Sequence, residues 1–386
     1  MVSGTRPVVV HFDEPVDPAT IDADSFHLIA NGQRFPGTIG VSTTELFATL
    51  FHQEVFPPAT EVRVVVDGDL IMGRDGLALD ANGDNEPGGT GTADFRTVPL
   101  TRIEGTNVMG RVIASETDNE GNDVPLGGVA IRVDGFEDLV VVTDEDGFFT
   151  LINTPAPVFY VHIDGSTTTT VGGEAIPDTG FYPIVSKQFH SVPGQTVELE
   201  MDGVPFDIHL PFILDSAVHD VEPGQPTTVG LPPEQVAGDP ELAQVSLTVP
   251  ADSLMNGDGT AGTVVGIFRV DSDRLPAPLP ESLSHSFDIT VQSDADFFDV
   301  PAPITFPNTD GLAPGEQTLL MSFDHGRSEW IVVGTMTVSA DGQTIVPDPG
   351  VGVRAPGWHG PPRRSGLPHR SYLESTADGR CPRGDR

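Results

Sequence analysis

The chain has 386 residues, 38% of them hydrophobic, and carries 43 Gly and 36 Pro; this supports about two to four domains of roughly 100 to 200 residues and leaves little room for long helices. Its 57 acidic residues against 19 basic ones give a formal net charge of −38, which repels a phosphate backbone and speaks against nucleic-acid binding. Cys381 is the sole cysteine, so an intrachain disulfide and a cysteine-based zinc site are both excluded.

Solubility, a salt-rich habitat and cation-binding loops each account for so acidic a surface, while repeated Val, Ile and Phe runs oppose a disordered chain. No apolar run reaches the roughly 18 residues that a membrane span needs, so no membrane insertion is expected. The opening MVSGTRPVVVHF enters a strand pattern at once, without a charged-then-apolar leader. That start suits a fragment of a longer extracellular or cell-surface protein, which is the expected location, although a cytoplasmic protein would also lack such a leader.

The first unit, residues 1–100, holds RPVVVHFDEPVDPATI, SFHLI, ELFATL and TEVRVVVDGDL, short β-branched runs closed by Gly, Pro or Asp. The series VVVHFDEPVDPATI, SFHL, TEVRVVVDGDL, RDGLALDANGD and ADFRT resembles the bacterial immunoglobulin-like (SbsA-type) module of surface-layer proteins. The second unit, residues 105–180, contains GRVIAS, VPLGGVAIRVDG, LVVVTDEDGFFTLINTP and VFYVHIDG. These resemble the carboxypeptidase regulatory-like module, a small transthyretin-like sandwich. In that unit the DEDG stretch reads as a hairpin turn between Val140–Thr143 and Phe148–Leu151, with Gly147 supplying a positive φ and Asp144 and Asp146 accepting turn N–H groups. A cation site is the competing reading.

The third unit, residues 181–360, is a series of strand-length runs, among them FDIHLPF, AQVSLTVP, VVGIFRV, SFDITVQS, TLLMSF and WIVVGTMTVS. The order APITFPN, SFDHGRSEWIVVGTMTV, APGWH resembles a ZU5-like β-sandwich. Some ZU5-like domains cut themselves at a His-Phe-Ser motif; the nearest match, Ser322–His325, has its groups in another order, so a structural strand end is expected. Residues 361–386 reverse the charge of the rest and read as a disordered tail that includes Arg383, Gly384 and Asp385. The expected fold is all-β: three consecutive β-sandwich-like domains and that tail.

No Gly-x-Ser-x-Gly elbow, His-Glu-x-x-His or Walker loop is present. The dinucleotide-like GDGTAG at 257–262 is followed by a strand pattern where a helix is required. His209 alternates with Ile208 and Leu210 and is expected to face outward. Trp330 and Trp358 are expected to pack in cores or junctions, with sugar stacking as the alternative. No catalytic residue is assigned. The metal expectation is calcium at LDANGDNEPGG, where Asp80, Asn82, Asp84 and Glu86 place a side-chain oxygen at every second position. Asn85 stands where an EF-hand has its turn Gly and Gly91 where it has its bidentate Glu, which excludes a true EF-hand. Asp252, Asn256 and Asp258 form a weaker second series.

Two functions fit. One is a non-enzymatic stalk, adhesion or binding segment of a larger bacterial surface or secreted protein, with other modules, an extracellular glycan or a protein as partners. The other is an accessory or catalytic region of a carbohydrate-active enzyme, with carboxylates converging from different loops.

Overall fold

A computed structural model describes residues 2–363 apart from residues 5, 43, 202–203, 238, 276–278, 280–283 and 326–328. The chain is all-β, as its composition implies. Among the described residues the helical elements are four short 3-10 turns and the four-residue helix Pro233–Val236.

The first two sheets form from residues before 97. Val8–His11, Phe47–His52 and Gly37–Val41 make a three-stranded sheet. Gln33–Phe35, Phe26–Ala30, Glu61–Asp67 and Thr90–Arg96 make a four-stranded one. Period-two alternation turns Phe26, Leu28 and Ala30 to one side. They join Leu50, Phe56, Val62 and Val64 in a single buried cluster. Each buried Phe, Leu or Val of this cluster contributes about 1.5–3 kcal/mol by leaving water.

The next body is built around the eleven-residue strand Asn107–Thr117. Phe148–Leu151 and Asp123–Gly127 pair with it antiparallel. Thr196–Glu198 and Ile208–Leu210 pair with it in parallel. A second sheet, ordered Val140–Val142, Ala130–Val133, Val158–Asp164 and Ile184–His190, covers it. The division expected at residue 180 therefore falls between two hydrogen-bonded strands, Val158–Asp164 and Ile184–His190.

The DEDG stretch is a turn, but not of a hairpin. Val140–Val142 pairs with Ala130–Arg132, whereas Phe148–Leu151 pairs with Val108–Arg111, so the connection arches from one sheet to the other. Asp144 closes the arch: its Oδ1 accepts from the N–H of Asp146 at 3.1 Å and of Phe148 at 2.8 Å. Gly147 has φ of +81°, and a Cβ there would lie 2.3 Å from the Val112 carbonyl oxygen. Both the backbone conformation and the close approach demand glycine.

The last body is a ten-stranded path that runs from Val218–Asp220 through Val264–Val270, Asp288–Ser293, Gly357–Gly360, Gln317–Asp324, Glu329–Val338, Thr344–Pro347, Ile304–Pro307 and Ser246–Val249 to Thr227–Gly230. It encloses a cluster that includes Leu247, Ile267, Ile289, Phe306 and Leu320. Several of its strands are buried on both faces. Ile267 points into this cluster and Val270, three residues on, into the core of the preceding body; Leu320 and Phe323 divide in the same way. A sheet covered on both sides needs continuous apolar runs, as VVGIFRV and TLLMSF show.

Residues 361–363, expected to open the tail, belong to the fold. Pro362 bridges His285, and Arg363 N–H donates to the Ser284 carbonyl at 2.7 Å. The rest of the expected tail, with Arg383, Gly384 and Asp385, lies outside the described residues.

Candidate functional site

The acidic loop lies between the strands Glu61–Asp67 and Thr90–Arg96, where the chain makes a long excursion across the sheet end. Asp80 organises it. Its Oδ1 accepts from the N–H of Gly83 at 2.8 Å and of Asp84 at 3.2 Å, and its Oδ2 from Asn85 N–H at 2.8 Å. Asn85 has φ of +68°, so it fills the left-handed position that the missing glycine would occupy, a conformation asparagine tolerates better than most residues. Asn82 Nδ2 donates to Asp84 Oδ2 at 2.9 Å, and Glu86 N–H donates to Asp84 Oδ1 at 2.9 Å. Asp80, Asn82 and Asp84 thus come together through hydrogen bonds, with Glu86 joined by its main chain. Among the described residues no group of three or more His, Cys, Asp or Glu side chains is gathered in a metal-holding cluster.

The second acidic series is not brought together. Asp252 Oδ1 accepts from Gly224 N–H at 2.8 Å, while Asp258 Oδ1 accepts from Thr260 N–H at 2.9 Å and from its hydroxyl at 2.6 Å. At 257–262 the chain turns, with Gly259 at φ +85°, and enters the strand Val264–Val270 instead of a helix.

A series of buried polar groups lies along the seam between the second and third bodies. Trp358 is 2% exposed, and with Phe323 it joins the core that Val108, Leu151 and Phe189 form; Trp330 packs against the same cluster. Both tryptophans are packing residues. Ser322 Oγ stands 2.7 Å from His359 Nδ1 on the neighbouring strand, both buried. His325, the histidine of the Ser322–His325 stretch, turns elsewhere: its Nδ1 lies 3.1 Å from the Ser186 carbonyl, and its ring meets Trp358 at 5.2 Å. The base beside the serine is therefore a histidine 37 positions away, which local spacing could not reveal. Buried so completely, the pair satisfies two polar groups that would otherwise be costly inside.

Lys187, the sole lysine, is 3% exposed, and its Nζ sits 4.2 Å from the Phe206 ring centre. Loss of hydration lowers its pKa to about 7. The signal was present in the sequence: Lys187 is in phase with Val185 and Phe189, both buried, on Ile184–His190. His209 does turn away from the buried Ile208 and Leu210, but it is partly buried there and not simply outward. Its pKa falls to about 4 through desolvation first and the Arg274 charge second. Desolvation lowers that of His359 to about 3.

No family profile and no curated protein matches the chain. Among solved structures it is similar to the N-terminal part of the bacterial surface-layer protein SbsC, at 16% identity over 45% of this chain and 42% of that one, with a TM-score of 0.23. It is also similar to domains 1–6 of SbsC, at 12% identity over 90% and 65% of the two chains, TM-score 0.21. A third likeness is to the major pilin subunit BcpA of Bacillus cereus, at 11% identity over 50% and 58%, TM-score 0.18. The chain thus spans less than half the length of the first of these.

The depressed histidines set a sign for acid stability. Each stays neutral in the fold while its unfolded counterpart takes a proton near pH 6.5, so the unfolded state binds more protons and stability is lost as pH falls from about 6.5 toward 4. Urea melts of the parent and of a His209→Gln/His359→Gln variant should diverge in that window, with the parent losing up to about 2 kcal/mol more per histidine by pH 5. Parallel pH profiles would refute this.

Proposed function

We propose that the chain is a non-enzymatic structural segment, a stalk or adhesive part of a larger bacterial surface or secreted protein, in which three β units hold fixed positions. In this reading the second unit runs past residue 180 to about Leu214. The observation that carries it is the way the units are joined. Arg274, from the third body, donates from Nε to the Ser115 carbonyl at 2.8 Å and from Nη2 to the Ala114 carbonyl at 3.2 Å, and pairs with Asp123 at 2.8 Å. Trp358 and Phe323 enter the second core from the same side. Between the first and third bodies, Thr44 donates to Asp299, and Phe297 meets Phe47 edge-on at 4.8 Å. Between the first and second, Ser3 donates to Asp134. Buried, directional contacts of this kind resist hinge motion, whereas units linked only by exposed chain move freely. A fixed geometry serves a part that positions or transmits load.

The reading is tested by incubating the intact chain with panels of glycans and peptides. No turnover is expected. Turnover abolished by a single carboxylate change would replace this function with the carbohydrate-active one.

The acidic loop supports a second, compatible role, a calcium brace on the first unit. Asp80, Asn82, Asp84 and Glu86, hard oxygen donors suited to calcium, would hold the ion by exchanging the loop's own hydrogen bonds for it, and the ion would offset local carboxylate repulsion in a chain of net charge −38. Melting of the full chain in calcium and in chelator, at matched ionic strength, should show stabilisation of roughly 2.7 kcal/mol at 100 times the dissociation constant. An equal shift in an Asp80→Ala/Asp84→Ala variant would remove this loop from the account.

A further inference from the structure

An asparagine followed by glycine is open to attack by its own backbone, because glycine brings no side chain to shield the next peptide nitrogen. The chain contains this pair three times, at Asn31-Gly32, Asn82-Gly83 and Asn256-Gly257. When the glycine N–H gives up its proton, the nitrogen attacks the asparagine Cγ. An N–C bond forms, ammonia leaves, and water then opens the cyclic imide to aspartate or to isoaspartate, in which the main chain runs through the side-chain carbon. Water is the only co-reactant.

The fold treats the three pairs differently. Gly83 N–H donates to Asp80 Oδ1 at 2.8 Å, and Gly257 N–H donates to Asp296 Oδ2 at 2.7 Å. In both, a carboxylate holds the proton that must leave, and its negative charge opposes that loss. The side-chain amides are engaged as well: Asn82 Nδ2 donates to Asp84 Oδ2 at 2.9 Å and Asn256 Nδ2 to Thr260 Oγ1 at 3.2 Å. Gly257 is also buried.

Asn31 and Gly32 form the two-residue turn between Phe26–Ala30 and Gln33–Phe35, with φ of +51° and +75°, and Asn-Gly is the sequence that such a turn favours. Both residues are exposed. Among the described residues neither the Gly32 N–H nor the Asn31 side-chain amide has a hydrogen-bond partner. A Cβ placed on Gly32 would meet nothing within 4 Å, so water reaches this peptide bond freely.

We propose that Asn31 is a site of spontaneous covalent modification, deamidation to aspartate and isoaspartate, which the fold leaves open at this turn while it shields Asn82 and Asn256. The modification has a structural consequence. Turn length sets the register of a hairpin, and isoaspartate adds a backbone carbon inside a two-residue turn. Gln33–Phe35 is a three-residue strand at the end of its sheet, and its Phe35 packs on Phe56 at 4.8 Å beside the first core. Isoaspartate at position 31 therefore loosens that edge of the first unit. The inference is independent of the structural role proposed above.

The test is incubation of the intact chain in mildly alkaline buffer with chelator, with mass-spectrometric peptide mapping to follow amide-to-acid conversion at each asparagine, in parallel with a sample held in concentrated urea. In buffer Asn31 should convert at least about tenfold faster than Asn82 or Asn256, since the other two must first give up hydrogen bonds to carboxylates. In urea the three should convert at similar rates. Asp80→Ala frees the Gly83 N–H and should speed conversion at Asn82 while leaving the rate at Asn31 unchanged. The proposal is overturned if Asn31 stays an amide in buffer, if it converts no faster than the other two, if the same ranking persists in urea, or if Asp80→Ala leaves Asn82 as slow as before.

Discussion

The second body depends on how the two edges of the strand Asn107–Thr117 are filled. A strand of eleven residues presents a long row of backbone donors and acceptors that must be satisfied inside a protein. Four strands share the task, two antiparallel and two parallel. Between Ile113 and Thr117 the register is irregular, and there the guanidinium of Arg274 reaches in from the third body to the Ala114 and Ser115 carbonyls. A charged donor in place of a ladder bond is stronger than the bond it replaces. It also ties the two bodies at that irregularity.

That tie explains the polar seam beside it. Once the sheet carrying Val264–Val270 and Gly357–Gly360 is pressed against the second core, every side chain between them loses water, and the polar ones must find partners or stay neutral. Ser322 and His359 pair with each other, and His325 takes the Ser186 carbonyl. Lys187 lies over Phe206 with its pKa near 7. The lowered pKa values of His209, His325 and His359 are one consequence of one burial event.

Much of the fold was legible from local chemistry. Gly147 and Asp144 identify a turn because one supplies the left-handed backbone and the other caps it. The alternation in SFHLI and TEVRVVVD marks half-buried strands, and these are the strands Phe26–Ala30 and Glu61–Asp67. Pairing between distant segments was not legible. Nothing in the spacing tells that Val140–Val142 and Phe148–Leu151 belong to different sheets, or that Ile184–His190 completes the sheet of Val158–Asp164, because register is decided by which faces become buried together. The turn at Asp80 was readable because its hydrogen bonds are local. The Ser322–His359 and Arg274 contacts were not, since they join residues 37 and about 160 positions apart.

We infer that Arg274 makes the second and third bodies one cooperative unit. Trp330 and Trp358 both lie at their seam, so tryptophan fluorescence follows the junction while far-ultraviolet circular dichroism follows all the strands. Urea unfolding of the parent should give coincident fluorescence and dichroism transitions for these two bodies. An Arg274→Met variant should lose about 2 kcal/mol or more, with the fluorescence transition moving to lower urea than the dichroism transition. Coincident, unshifted transitions in the variant would contradict the account.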